Sequence, residues 1–400
     1  MSRYQRTHDG AEQKTTTLEL FYDLVFVFAI TQVSHFLLEH LTWEGAGQAA
    51  LVLLVVWWSW NYTTWVTNEL DPEAIAVRLL LIGLMLASFL MAIAIPEAFG
   101  DRALLFAGAY VTIQIGRHTF LTFFAADRGT LERARAGRIL VWFVAAGILW
   151  VAGAVVEGPA RTALWLAALA VDYGAPLALF WVPGIPRLGE DAWRVTTGHF
   201  SERFGLFVII ALGESIVLTG ATISEAELNM ATLAAFAVAF LTTAALWWLY
   251  FTYVARIAER RLEMAANRTR VARDAYTYLH VVFVAGIIVS AVGDELVIAH
   301  PGEPLSGAEV AAVVAGPAIY LLAHALFRLR LTGTVSWRRL TGAAACGVVG
   351  LAGGSADALV VAVLVFAVLA GVVVSEEHAA ARRRRRGERS PLERLEASAG

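Results

Sequence analysis

About twelve stretches of roughly 17–25 mainly apolar residues follow one another along this chain, which is the length that crosses a bilayer as a helix. They lie near 18–38, 46–67, 76–96, 102–125, 138–156, 162–182, 200–221, 229–254, 274–296, 308–330, 338–353 and 357–375. The eleventh is short and glycine-rich. In hydrocarbon every backbone N–H and C=O must be satisfied within its own segment, so such stretches have to be helical. The expected fold is therefore all-α, a polytopic integral membrane protein of about twelve transmembrane helices. Composition agrees: only 16% of the 400 residues are charged, 58% are hydrophobic, and the mean hydropathy is +0.64. Residues 1–17 are polar and the first span is full length, so the chain is expected to insert through its own first helix.

The arginines test the count. With the N-terminus in the cytoplasm, the even-numbered loops hold Arg78, the Arg128–Arg138 group, Arg187 and Arg194, the Arg256–Arg273 group, and Arg328, Arg330, Arg338 and Arg339. The tails add Arg3, Arg6, Lys14, Arg382–Arg386, Arg389 and Arg394. The odd-numbered loops hold only Arg102 and Arg161, beside acids such as Glu39, Glu97, Glu157, Glu225 and Glu303. This asymmetry predicts twelve spans with both termini in the cytoplasm.

The same count suggests an internal repeat. Trp57-Trp58 in the second span is matched by Trp247-Trp248 in the eighth, with aromatic runs to Trp65 and Tyr253, and Arg78 opens the third span as Arg273 opens the ninth. Two parallel six-helix repeats, 18–182 and 199–375, are expected, since an even number of spans inserts both halves the same way. A tail at 1–17 and a linker at 183–198 would lie in the cytoplasm. So would a basic, disordered tail at 376–400. The tail run ARRRRRGERS could meet acidic lipid or nucleic acid. A cytoplasmic stop after the last span explains it more simply, and no nucleic-acid partner is expected.

One stretch organises the rest. Thr15–His40 is long and apolar enough to span, yet it carries Glu19, Asp23, Gln32 and His35. At 100° per residue Glu19, Asp23, Phe26, Ile30 and Ser34 share a face. A face that begins with two acids is costly against lipid. His199–Gly220 reads as a worn copy, with Phe204 for Phe21 and Ala211-Leu212-Gly213-Glu214 for Ala29-Ile30-Thr31-Gln32.

These stretches resemble the bacterial low temperature requirement A family. The matches are LELFYDLVFVFAITQVSH at 18–35, HFSERFGLFVIIALGES at 199–215 and VDYGAP at 171–176. The resemblance implies a multi-pass inner-membrane protein and no particular chemistry. FYDLVFVFAIT at 21–31 is also similar to the first-helix motif of the lysosomal and bacterial potassium channels marked by Phe-Ser-Asp, whose first helix lines the pore. Here Tyr22 stands in place of the serine, and Leu206 stands where Asp23 would repeat.

Candidate permeation residues follow from placement. Glu19 and Asp23 could concentrate cations or share a proton, or else cap the helix and pair with arginines. Ile30 lies farther along their face. His199, Arg203, Leu206, Ile210 and Glu214 share a face of the seventh span, with Glu202 to one side and Ser215 beside the last acid. Glu214 is roughly 22 Å of helical rise from the start, deep enough to need a partner, water or a proton. The bland alternative is a neutral Glu214 hydrogen-bonded to a neighbouring helix.

Asp172, four residues before Pro176, suggests a broken helix with an acid at the break, or an ordinary kink. Arg117 and His118 lie inside the fourth span, and Arg117 is the expected counter-charge of Asp172 or Glu214. His280 and His324 could join a proton relay, though packing hydrogen bonds account for lone membrane histidines as well.

No nucleotide loop, H-E-x-x-H, paired Cys-x-x-Cys or G-x-S-x-G is present, so no cofactor and no metal are expected. The leading expectation is a transporter or cation/proton permeation protein acting on a small ion, proton or small molecule within the lipid bilayer. A homodimer would bring four repeats around one pore. The alternatives are an intramembrane enzyme for a lipid or isoprenoid, with Glu214 and Asp172 as acid and base and His199 or Arg203 on a phosphate, and a structural or sensory protein without flux.

Overall fold

The computed structural model describes Tyr4 and residues 15–193, 195–252 and 254–397. Expectations placed on Arg3, Arg6, Lys14, Arg194 and Tyr253 fall outside the described residues.

The described chain is helical, with no strand among those residues and an isolated bridge between Pro304 and Asp357. In order the helices are α1 (Thr17–Glu39), α2 (Trp43–Thr67), α3 (Ile75–Ala94), α4 (Ala103–Phe120), α5 (Leu131–Val155), α6 (Pro159–Gly174), α7 (Thr197–Glu225) and α8 (Met230–Phe251). Then come α9 (Val254–Glu263), α10 (Arg268–Val271), α11 (His280–Ala299), α12 (Gly307–Thr332), α13 (Trp337–Ala352), α14 (Ala358–Arg385) and α15 (Pro391–Ala397). Wider π-helical turns run on from α4 at Leu121–Ala125 and lead into α11 at Ala272–Tyr278.

A helix lies at each of the twelve expected positions. Eight helices are long and apolar enough to cross a membrane: α1, α3, α5, α7, α8, α11, α12 and α14, some lengthened by flanking turns. Of the others, α2 is dense in Trp, Thr, Tyr and Asn, α4 carries Arg117 and His118, and α6 and α13 have 16 residues each. The structure thus establishes a polytopic all-α membrane protein.

The helix ends carry their own signals. Thr130 and Asn229 accept N-terminal amide protons of α5 and α8, Ser306 and Glu309 form a reciprocal capping box on α12, and Gly333 closes α12 with a left-handed φ of 66°. Arg161 and Arg102, in the arginine-poor loops, are also used locally. Arg161 donates to the carbonyls of Val156, Phe99 and Gly100, and Arg102 to that of Ile93.

Two expectations need correction. The sixth span was expected to run to 182, but α6 ends at Gly174. Pro176 lacks the amide a continuing helix needs, and the chain turns there, with Leu179 and Phe180 both at φ 51°. For non-glycine residues that costs roughly 1–2 kcal/mol each. The departing segment is held to α5 by Arg138 on the Pro186 carbonyl at 2.5 Å and Arg135 on the Ala192 carbonyl at 3.0 Å. Second, the tail from 376 is not disordered throughout. α14 continues to Arg385, because a run of arginines suits a helix C-terminus and Glu376 is clamped by Arg339 with two contacts of 2.9 Å. A short helix, α15, follows.

The chain divides into two compact units. The first comprises Met1–Phe36 with Gly47–Arg203, and the second Leu37–Ala46 with Phe204–Gly400. In the first, α3, α4, α5 and α6 each pack on the next. Tyr173 of α6 stacks on Trp58 of α2 at 3.8 Å and donates to the Leu54 carbonyl at 2.8 Å. Trp57, Trp58, Trp60, Trp150 and Trp165 are buried, so these indoles pack the interior and do not form an interfacial belt.

In the second unit α11, α12, α13 and α14 pack in sequence and α8 lies against α14. α11 and α12 approach closely through glycines. A Cβ on Gly286 would lie 2.8 Å from the Tyr320 amide nitrogen, and one on Gly293 would lie 2.7 Å from Val313 Cα. Cys346 is buried in an apolar cluster with Val297, Ile298, Val310 and Val361. Trp247 and Trp248 are 46% and 42% exposed, unlike the buried Trp57-Trp58 pair with which they were matched.

Candidate functional site: a buried ion cluster in the first unit

The acidic face of α1 is the buried one. Glu19, Asp23, Phe26, Ile30 and Ser34 each have 0% exposure. Spacings of three and four put them on one stripe, and the first-turn acid suits the positive end of the helix. Glu19 divides its two oxygens. Oε2 accepts from the Thr16 amide and hydroxyl, both at 2.9 Å, while Thr16 Oγ1 accepts the Glu19 amide proton at 3.3 Å. That is a capping box. Oε1 faces the start of α7, 3.0 Å from His199 Nε2 and 3.2 Å from Arg203 Nη1. Both the capping role and the pairing role weighed from the sequence are filled by one carboxylate.

One helical turn on, Asp23 Oδ1 accepts from Arg203 Nη2 at 2.6 Å and from Trp60 Nε1 at 2.7 Å. Asp23 Oδ2 is buried without a hydrogen-bond partner. Arg203 completes its contacts with Thr67 Oγ1 at 3.3 Å and lies 5.9 Å from the Trp60 ring centroid. A guanidinium forked between two carboxylates is the arrangement its planar donors fit, and at zero exposure the charges are weakly screened.

The tautomer of His199 follows from its neighbour. Asn68 Oδ1 accepts the Thr196 amide proton at 2.8 Å and Asn68 Nδ2 donates to the Thr196 carbonyl at 3.0 Å, which fixes the carboxamide. The same Nδ2 lies 3.1 Å from His199 Nδ1, so Nδ1 accepts. The ring proton then sits on Nε2, which lies at ion-pair distance from Glu19 Oε1 but without the geometry of a hydrogen bond.

A second group of polar contacts surrounds Arg117. Nη1 donates to Thr63 Oγ1 at 2.8 Å and to the Ser59 carbonyl at 3.2 Å, and Nη2 donates to Gln114 Oε1. Thr63 spends its own proton on the Ser59 carbonyl at 3.1 Å, so Tyr22, 2.8 Å away, must donate to Thr63. The rings of Tyr62 and Phe143 lie 5.5 and 5.9 Å from the guanidinium carbon. Among the described residues Arg117 meets no carboxylate within ion-pair distance. It is therefore not the counter-charge of Asp172. Asp172 is held by neutral donors, Tyr110 at 2.7 Å and Trp150 at 2.9 Å, both on Oδ2, and its Oδ1 is buried without a partner. His118 is buried and bonds the Gln114 carbonyl at 3.1 Å, a packing role.

The remaining candidates are dispersed. Gln32 is half-buried and His35 exposed, away from the acid stripe. Glu202 is exposed and accepts from the Thr15 amide at 3.1 Å. In the second unit Glu214 and Ser215 are each 1% exposed. There His280 donates through Nδ1 to the Ala275 carbonyl and accepts from the Tyr250 hydroxyl at 2.8 Å, while His324 packs against Phe283 and Tyr320 without a hydrogen bond.

Sequence reasoning missed Trp60, Thr63, Thr67 and Asn68, because α2 reads as an aromatic packing helix. The spacing of three and four from Trp60 to Thr63 to Thr67 was the available signal, and Asn68 follows just past the helix end. It also missed the buried Asp294 of α11, which lies close to the expected span end. Among the described residues no group of three His, Cys, Asp or Glu side chains could hold a metal ion.

Comparison with known proteins gives one family. The profile of the bacterial low temperature requirement A protein (LtrA) matches residues 14–374. The uncharacterized protein RA0937 of Rhizobium meliloti (strain 1021) is 36% identical over 321 residues, covering 80% of this chain and 78% of that one. No solved structure matches significantly.

Proposed function

The chain belongs to the bacterial low temperature requirement A family, and from that premise we propose that it is a proton or cation permeation protein whose titrating centre is the Glu19–His199–Arg203–Asp23 cluster. The observation that carries this reading is the burial of two carboxylates, a guanidinium and an imidazole at 0–1% exposure on helices built to lie in lipid. Ionisable groups buried in membrane-crossing helices are costly, and where they persist they are functional candidates by default. The His199 ring lies between the Asn68 carboxamide and Glu19, and Arg203 holds both acids in place. Asp23 Oδ2 offers a further acceptor.

The wider architecture is part of the proposal: twelve spans, two parallel repeats, both termini cytoplasmic, an inner-membrane location, and α1 and α7 along the route. What supports it is the helix at each expected position, the arginine segregation, and the shared packing order, α3 to α6 in one unit and α11 to α14 in the other. α2 lies on α6 as α8 lies on α14.

The test is flux of protons, potassium and sodium in liposomes reconstituted with wild type, Glu19→Gln, Asp23→Asn and Glu214→Gln. Glu19→Gln is expected to abolish flux or flatten its pH dependence while the protein stays folded. Wild-type flux in both Glu19→Gln and Asp23→Asn would sink the assignment. Loss in Glu214→Gln alone would move the titrating centre to the second unit.

A further inference from the structure

The arginines that the first span and its partners do not use are unevenly placed. In the second unit a cavity of about 460 Å³ opens among α9, the α12–α13 turn, the end of α14 and α15. Six arginines line it, Arg261, Arg328, Arg338, Arg339, Arg383 and Arg394, against one acid, Glu376. Arg339 is committed to Glu376 through two contacts, and Arg328 donates to Thr334 at 3.0 Å. Arg261, Arg338, Arg383 and Arg394 have no acidic partner within ion-pair distance among the described residues. Six arginines against one acid around a single cavity leave it net positive, and an anion there would relieve their mutual repulsion.

The floor of the cavity is apolar. Phe327, Ala258 and Leu395 are buried there, with Ile257 and Leu331 beside them. Trp337, at 71% exposure, immediately precedes Arg338, and Val335 is exposed two residues before it. An exposed indole next to arginine at the end of apolar helices marks the headgroup level of a bilayer. A soluble anion would have no use for the apolar floor, whereas a lipid fills both parts at once.

We infer that this cavity binds the phosphate headgroup of an anionic phospholipid, its phosphate oxygens among the four uncommitted arginines and its glycerol and first methylenes over Phe327 and Leu395. Guanidinium forks match phosphate oxygens bidentately. The inference is independent of permeation through the first unit.

The experiment is native mass spectrometry of the full chain, purified in neutral detergent, titrated with phosphatidylglycerol, phosphatidylcholine or glycerol phosphate. Phosphatidylglycerol is expected to bind selectively, and the double variant Arg338→Gln/Arg394→Gln should weaken it by about tenfold or more. Arg128→Gln, an equal change of charge per site in the first unit, should leave binding unchanged. The variants' melting temperatures check folding, and Arg261→Gln/Arg383→Gln offers a second pair should the first fail to fold. Equal binding of phosphatidylcholine, an equal loss in Arg128→Gln, or displacement by glycerol phosphate as effective as the lipid would each overturn the inference.

Discussion

Arg203 makes the clearest prediction at the scale of single residues. It meets Glu19 and Asp23 with all three side chains at zero exposure. Arg203→Met would strand two buried carboxylates, and losing one partner of such a pair costs about 3–5 kcal/mol. A large drop in melting temperature of the detergent-purified protein is expected, partly recovered when Asp23→Leu is added. Tyr22→Phe removes one donor to Thr63 and should cost only about 1 kcal/mol, since Arg117 still satisfies that hydroxyl. Asn68→Ala tests a positioning role. It removes the contact that orients the His199 ring, so the rate of flux should fall while the melting temperature holds. An unchanged rate would reduce Asn68 to packing. The acid stripe of α1 was legible in the sequence because a helix has one period. Its partners on α2 were not, since Trp60, Thr63 and Thr67 look like any aromatic, threonine-rich packing face until something polar lies opposite.

Among helices, the contact between α11 and α12 is the most demanding. Gly316→Ala would set a methyl onto the backbone of Ser290, and Gly286→Ala would press on Tyr320. Overpacking of this kind typically costs about 1–3 kcal/mol, and both variants should melt lower than wild type. Gly347→Ala is the control. Nothing lies within 4 Å of its Cβ, and it sits inside α13, where alanine is the better helix former by about 1 kcal/mol. Its melting temperature should hold or rise. Hydropathy located most helix ends to within a few residues, because apolar length is a local property, but it began α5 at 138 where the helix starts at Leu131 through the charged turn Glu132–Arg135. It ran past Gly174 in α6 because hydropathy does not register a missing amide at Pro176. It stopped α14 at residue 375, because arginines end an apolar run without ending a helix.

For the whole molecule, topology is the open prediction. In a Cys346→Ala background, a single cysteine at Ala226 in the α7–α8 loop should react with an impermeant maleimide in intact spheroplasts. One at Val335, between α12 and α13, should react only after permeabilisation. The reverse pattern would invert the arginine-based orientation. Family membership, helical class and the succession of apolar helices are written in the sequence, since apolar length and the motifs of α1 and α7 are local or statistical properties of the chain. What the tertiary structure alone decided is pairing. Arg203 and Asp23 are 180 residues apart, and only packing brings them together. Arg117 is held instead by neutral oxygens and aromatic faces, and Asp172 by Tyr110 and Trp150. An ion pair depends on a few ångströms in three dimensions, and the pattern of charges along a chain does not specify them.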